Sequence, residues 1–100
     1  MGIEELSAAQ LEQASAILKA LAHPIRISIV KFLDGGKKLN VTEIHNLLGI
    51  EQSTTSHHLG ILKDKGVLKS YRDGKNTYYF LRHENMEHLV NCVTSCTSKQ

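Results

Sequence analysis

The run Gln52-Ser53-Thr54-Thr55-Ser56-His57-His58 places seven hydrogen-bonding side chains in succession. Short polar groups at the start of a helix are what the base edges of a DNA major groove require. Glutamine can bond adenine through both amide atoms, and serine or threonine can serve several bases or a phosphate. The helix N-terminus itself favours a phosphate. Taken singly, Ser53 to Ser56 also suit capping and first-turn positions, but seven polar residues in a row exceed what a cap needs. A second constellation is Arg72-Asp73-Gly74-Lys75-Asn76, where Asp-Gly signals a tight hairpin turn. Arg72, Lys75 and Asn76 then project together, with Lys63 and Lys65 adding positive charge nearby. Such groups suit phosphates and bring salt dependence more than sequence preference; a solvated hairpin tip is the plainer alternative. A third set, Glu84, His88, Cys92 and Cys96, recurs at every fourth residue with His83 just ahead, so it lines one side of a helix.

Catalysis finds no footing in these residues. Ser56 and His57 are adjacent in sequence, and neighbours one apart on a helix diverge, so they form no dyad. No glycine-rich phosphate loop is present, and a chain of 11.1 kDa has room for one small core rather than a roomy cleft.

The elements that must position these groups follow from the apolar spacing. Ser7 with Gln10 is a capping-box signal, and Leu11, Ala14, Leu18 and Leu21 then recur at helical spacing, which predicts a first helix over about 8–21. Pro24 suits the first turn of a second helix with Ile25, Ile29, Phe32 and Leu33 on its buried stripe, ended by Gly35-Gly36. Lys37 and Lys38 read as ordinary loop charges. Asn40 with Glu43 opens a third helix through Val41, Ile44, Leu47 and Leu48, which Gly49 stops. After Gly49-Ile50-Glu51 a fourth helix starts at Gln52 or Ser53, packs through Leu59, Ile61 and Leu62, and closes at Gly66. Two short helices across such a turn are a helix-turn-helix layout. Runs rich in β-branched and aromatic residues, 67–72 and 77–81, flank the Asp-Gly turn as a hairpin. From about Glu84 the period is helical again, with Met86, Leu89, Val90, Val93 and Cys96 on one stripe. The expected fold is mainly α with a β-hairpin wing, in the order ααααββα. It forms a single domain over 1–100, with 1–7 as a frayed lead and 97–100 as a frayed tail.

Charge sharpens the expected partner. The formal net charge is only +2, yet residues 63–82 hold six basic and two acidic side chains, while both ends are slightly acidic. A basic middle points to a polyanion such as double-stranded DNA. No apolar stretch is long enough to span a membrane, and no secretory leader opens the chain. Two close cysteines make no secreted disulfide framework. The expected setting is the cytoplasm.

Three strings give these elements a family likeness. They are Ala20-Leu21-Ala22-His23-Pro24-Ile25-Arg26-Ile27, then Gln52 through Leu59, then Arg72-Asp73-Gly74-Lys75-Asn76-Thr77-Tyr78-Tyr79. Together with the element lengths, over about residues 10–95, the chain resembles the ArsR (SmtB/ArsR-like) family of bacterial repressors. The resemblance implies a winged helix-turn-helix transcriptional repressor that dimerises through its first and last helices and binds an imperfect inverted repeat. The apolar excess of those two helices agrees with a dimer seam. A winged-helix module for protein contact is the competing function, and it calls for an apolar or acidic recognition face; residues 52–58 are neither.

The family's sensing positions are filled unevenly. Where arsenic- and lead-type relatives place cysteines, this sequence has Asn40 and Thr42, with His45 a turn on. Where zinc-, cobalt- and nickel-type relatives place ligand pairs on the last helix, it has His83 with Asn85 and Cys96 with Lys99, so a standard tetrahedral zinc site is incomplete. The candidates for a transition metal such as zinc are therefore His83, Glu84, His88, Cys92 and Cys96. Residues 84 and 96 stand about 18 Å apart along a helix, so one subunit offers pairs and an antiparallel partner helix must complete a site. The second helix lacks cysteine, which excludes the inter-helix disulfide of redox-sensing relatives. Cysteine as a small packing residue of the seam is the plainer reading.

Overall fold

In the computed structural model, which describes residues 7–83 and 85–98, the first helix α1 runs Ala8–Leu21. Ser7 is its N-cap: the hydroxyl accepts from the Gln10 backbone N–H, and the Gln10 side chain accepts from Ser7 N–H. Ser7 is thus tied down rather than frayed, because the capping box satisfies two backbone donors that a helix start otherwise leaves open. Helix α2 spans Pro24–Phe32, with Pro24 at its first position and His23 as N-cap. A single 3-10 turn, Asp34–Gly36, follows.

Strand β1, Leu39–Asn40, is an element the sequence patterns did not announce. Two residues carry no alternation to read. Asn40 ends β1 and also caps α3, Val41–Leu48, through a capping box with Glu43. The turn Gly49-Ile50-Glu51 leads to α4, Gln52–Asp64. It needs a left-handed residue at its first position, which Gly49 supplies at φ 70°. Strands β2, Leu68–Asp73, and β3, Asn76–Leu81, form the hairpin. Their register pairs Leu68 with Leu81 and Asp73 with Asn76, so the connection is two residues long. Gly74 has φ 64° and Lys75 is not in the positive-φ region, which is the pattern of a primed hairpin turn. β1 pairs antiparallel with β3, Leu39 against Tyr79 and Asn40 against Tyr78. The wing is therefore a three-stranded sheet in the order β1-β3-β2.

Helix α5 runs Asn85–Ser98, two residues into the segment expected as a frayed tail; Thr97 Oγ1 donates to the Thr94 carbonyl within it. It is fixed to α2 and to the 3-10 turn after it by buried Met86 and Val90 and by two polar ties. Lys31 Nζ donates to Asn91 Oδ1 at 2.7 Å, and the Gly35 N–H donates to Glu87 Oε2 at 3.0 Å. The core joins all five helices and the sheet: Leu21, Ile29, Leu33, Ile44, Leu59, Leu62 and Leu68 are among its buried members. Each such side chain contributes about 1.5–3 kcal/mol through burial.

The expected stripe of α1 is only half used. Leu21 is buried, whereas Leu11 and Leu18 are 43% and 55% exposed. On α5 Val93 is 50% exposed. Leu18, Leu21, Ala22, Ile27, Leu89, Val90 and Val93 line one continuous apolar groove where α1, α2 and α5 meet. Among the described residues no helix is long and apolar enough to cross a membrane.

Candidate nucleic-acid interface

Helix α4 has two faces, and helical spacing separates them. Thr55, His58, Leu59 and Leu62 recur at i, i+3, i+4 and i+7 and are buried. Gln52, Ser53, Thr54, Ser56 and His57 are exposed. Two members of the polar run are thereby corrected. Thr55 is 0% exposed, and its hydroxyl donates to the Glu51 carbonyl at 3.0 Å. His58 is 7% exposed and faces α2. Neither side chain can meet a base edge from there. Their inward spacing was readable, since both continue the stripe of Leu59 and Leu62, but polarity obscured it. The N-cap Glu51 makes no side-chain cap bond. Phosphate is the partner those open N–H groups favour.

His58 sits in a cluster that the sequence did not disclose. Arg26 Nε donates to His58 Nδ1 at 3.2 Å, and Arg26 Nη1 donates to the Ala20 carbonyl at 3.1 Å, at the end of α1. The His23 ring lies 4.7 Å from that of His58, centroid to centroid, and the His57 ring 5.6 Å away in an edge-on arrangement. His23 also caps α2, since the Ile25 N–H donates to its Nδ1 at 3.2 Å. Burial, followed by the charges of His23, Arg26 and His57, pushes the His58 pKa below the ordinary histidine value. The neutral ring is the form that can accept from Arg26. Arg26 lies in one of the family-like strings; its tie to a residue 32 positions away carries no local signal.

The wing leaves its basic residues exposed. Arg72, Lys75 and Asn76 are exposed, with Arg72 Nε donating to the Gly74 carbonyl at 3.3 Å across the turn. Lys63 is exposed in the last turn of α4, where a cation also suits the helix dipole. Lys38 is no mere loop charge. Its ammonium stands 5.6 Å from the ring centroids of both Tyr71 and Phe80, within cation–π range.

The last helix brings fewer groups together. His88, Cys92 and Cys96 are exposed along α5, and both thiols are free. His83 precedes the helix beside Met86 and Leu89. Glu84 and Lys99 lie outside the described residues. Among the described residues, no three His, Cys, Asp or Glu side chains are grouped to hold a metal ion. Within one chain the described donors do not fit such a site. His45, another isolated histidine, has its Nδ1 3.2 Å from the Ile50 carbonyl and braces the turn ahead of α4.

A buried-behind, polar-in-front helix next to a basic wing is the arrangement of a DNA reader, and the chain is similar to known transcriptional regulators. Residues 23–70 match the family described as "Bacterial regulatory protein, arsR family". The HTH-type transcriptional regulator YgaV of Escherichia coli is 34% identical over 82% of this chain and 83% of its own. The transcriptional repressor PagR of Bacillus anthracis is 41% identical over 80% of each. The chain belongs to the arsR family. The crystal structure of PagR superposes with a TM-score of 0.78, at 38% identity, over 87% of this chain and 99% of that one. A homodimeric winged helix-turn-helix DNA-binding domain from Mycobacterium bovis superposes at 0.81, with 29% identity, over 100% and 92%.

This arsR-family chain is therefore a winged helix-turn-helix transcriptional regulator and not an enzyme. The DNA-binding reading stands over the protein-contact one, because the recognition face is polar and neither apolar nor acidic. Metal-linked regulation occurs in the family: the cadmium resistance transcriptional regulatory protein CadC of Listeria innocua is 38% identical over 76% of this chain and 64% of its own.

Proposed function

We propose that the protein is a cytoplasmic repressor, a single domain over residues 1–100, that binds an imperfect inverted repeat as a homodimer. The observation that carries this reading is the division of α4. Gln52, Ser53, Thr54, Ser56 and His57 are free toward solvent while Leu59 and Leu62 hold the helix to the core. In this reading α4 enters the major groove, and Arg72, Lys75, Asn76 and Lys63 meet the backbone beside it. One module of this size covers few base pairs, whereas a dimer offers two recognition helices about one DNA turn apart. The apolar groove of α1 and α5, with Leu18 and Val93 half-exposed, is the seam that a second copy covers.

Anisotropy titration of the DNA upstream of the protein's own gene, across a salt series, tests this. The expected result is saturable binding in preference to a random duplex, with a steep salt dependence. Arg72→Ala or Lys75→Ala is expected to weaken binding to all sequences alike and to flatten the slope by about 0.9 log units per lost phosphate contact. A change of sequence preference at unchanged slope overturns the assignment of the wing to phosphates.

A second reading concerns the effector, and one observation favours it. Cys92, Cys96 and His88 are all exposed on α5, the helix assigned to the seam. A transition metal such as zinc would be held there across the seam, by these groups from two copies, because one chain supplies only pairs. On this reading the dimer takes up zinc, and Cys92→Ser/Cys96→Ser loses that uptake. Equal zinc uptake by the double variant overturns the thiol site.

A further inference from the structure

Behind the recognition helix lies a polar contact that the reading of α4 leaves without a role. His58 occupies the buried face of α4, one residue from exposed His57 and two from exposed Ser56. A hydrocarbon side chain would fill such a site at less cost, since a buried imidazole must find a partner. Its partner is Arg26, whose guanidinium bonds two elements at once: the His58 ring on α4 and the Ala20 carbonyl at the end of α1. His23, at the joint between α1 and α2, packs its ring on the same imidazole and uses its own Nδ1 to cap α2. Three helices are pinned at one point directly behind the residues assigned to base edges.

We propose that Arg26 and His23 are positioning residues for the recognition helix, and that they act through the neutral ring of His58. The inference rests on the assignment of the exposed α4 face to operator DNA. The chemistry of the pin decides how it fails. An arginine Nε–H can only donate, so His58 Nδ1 must accept, and a protonated imidazole has no lone pair left to do so. Adding a proton to His58 places an N–H against an N–H and a positive ring against a guanidinium. The bond is lost, and α4 is released from α1 and α2 on its inner side. Acid therefore weakens base readout while leaving the basic surface intact.

The basic neighbours of His58 act in the same direction. His23 and Arg26 from the start of α2 and His57 from α4 all oppose a proton on His58, after burial, which is the largest influence. From α1, Glu12 and Lys19 line a cleft shared with Arg26 and with Lys65 at the end of α4. α3 contributes His45, engaged with the Ile50 carbonyl, and β2 contributes Lys69, which is exposed. The general gain in attraction that acid brings to a basic surface acts on any duplex alike. The ratio of operator to random-duplex affinity cancels that general gain and isolates readout.

The test follows this ratio from about pH 7.5 down to the lowest pH at which far-UV circular dichroism still shows the fold, with proton NMR following the His58 ring through its titration. In the wild type the ratio is expected to fall about tenfold or more on acidification, as the His58 ring takes up its proton. His58→Asn keeps an amide oxygen at the place of Nδ1 and does not titrate, so its ratio is expected to hold at acid pH. Arg26→Ala is expected to lose the ratio already at neutral pH and to move the His58 titration upward. An unchanged far-UV circular dichroism spectrum separates this from a general loss of packing. A wild-type ratio that does not change with pH overturns the proposal, as does an acid loss that persists in folded His58→Asn. A wild type with no operator preference at any pH overturns it together with the assignment of α4, whereas the other two outcomes leave that assignment standing.

Discussion

Replacing Ser56 and His57 together with alanine is expected to lower operator affinity about 100-fold or more while leaving the melting temperature within a few degrees of the wild type. Both side chains are exposed at the N-terminal half of α4, so their removal opens no cavity, and alanine suits a helix better than either. Well-formed base contacts are worth about 1–3 kcal/mol each, and a dimer loses each contact twice. Binding to a random duplex should change far less, since Lys63, Arg72 and Lys75 remain. Anisotropy titrations with operator and random DNA measure both quantities. An operator affinity within threefold of wild type overturns the assignment of α4. The paired control is Thr55, which lies on the inner face: Thr55→Val should leave base preference unchanged.

The second large effect is expected at the seam. Leu18 is 55% exposed in the single chain, yet it lines the apolar groove with Leu89 and Val93. Leu18→Glu adds a carboxylate that costs the isolated chain little. In a dimer it buries an unpaired charge from each copy, at several kcal/mol per ion. The expected outcome at micromolar concentration is a monomer by analytical ultracentrifugation with an unchanged helical spectrum. Operator affinity falls about 100-fold or more, because the half-sites no longer bind as a linked pair. A Leu18→Glu protein that stays dimeric with full operator affinity places the interface elsewhere.

Much of this was legible in the sequence, for physical reasons that differ by element. Capping boxes at Ser7 and Asn40 marked two helix starts, and a glycine at Gly49 marked the turn, because each satisfies local backbone geometry. The hairpin was legible through Asp73-Gly74 for the same reason. What escaped were contacts made across long separations. β1 exists because Leu39 and Asn40 find β3 nearly 40 residues on, and its two residues carry no period of their own. The bond from Arg26 to His58 spans 32 residues. The polar run 52–58 invited a single role, whereas helical rotation assigns Thr55 and His58 inward and leaves five side chains outward. At the last helix the every-fourth-residue ladder was plain, but convergence of ligands is a three-dimensional condition, which the described residues of one chain do not meet.

Asn40 has one further consequence. It is the last residue of β1, hydrogen-bonded in the ladder to the central strand of the wing, and also the cap that opens α3. A single residue thus joins the edge strand of the wing to α3, the helix that precedes α4. Through this joint β1 and the start of α3 move as one piece. With that joint each subunit resembles a calliper jaw, and the fit to two half-sites is adjusted by how far the jaws stand open. A signal that acts where α1 and α5 are assigned to meet their counterparts can change that opening without breaking the joint at Asn40.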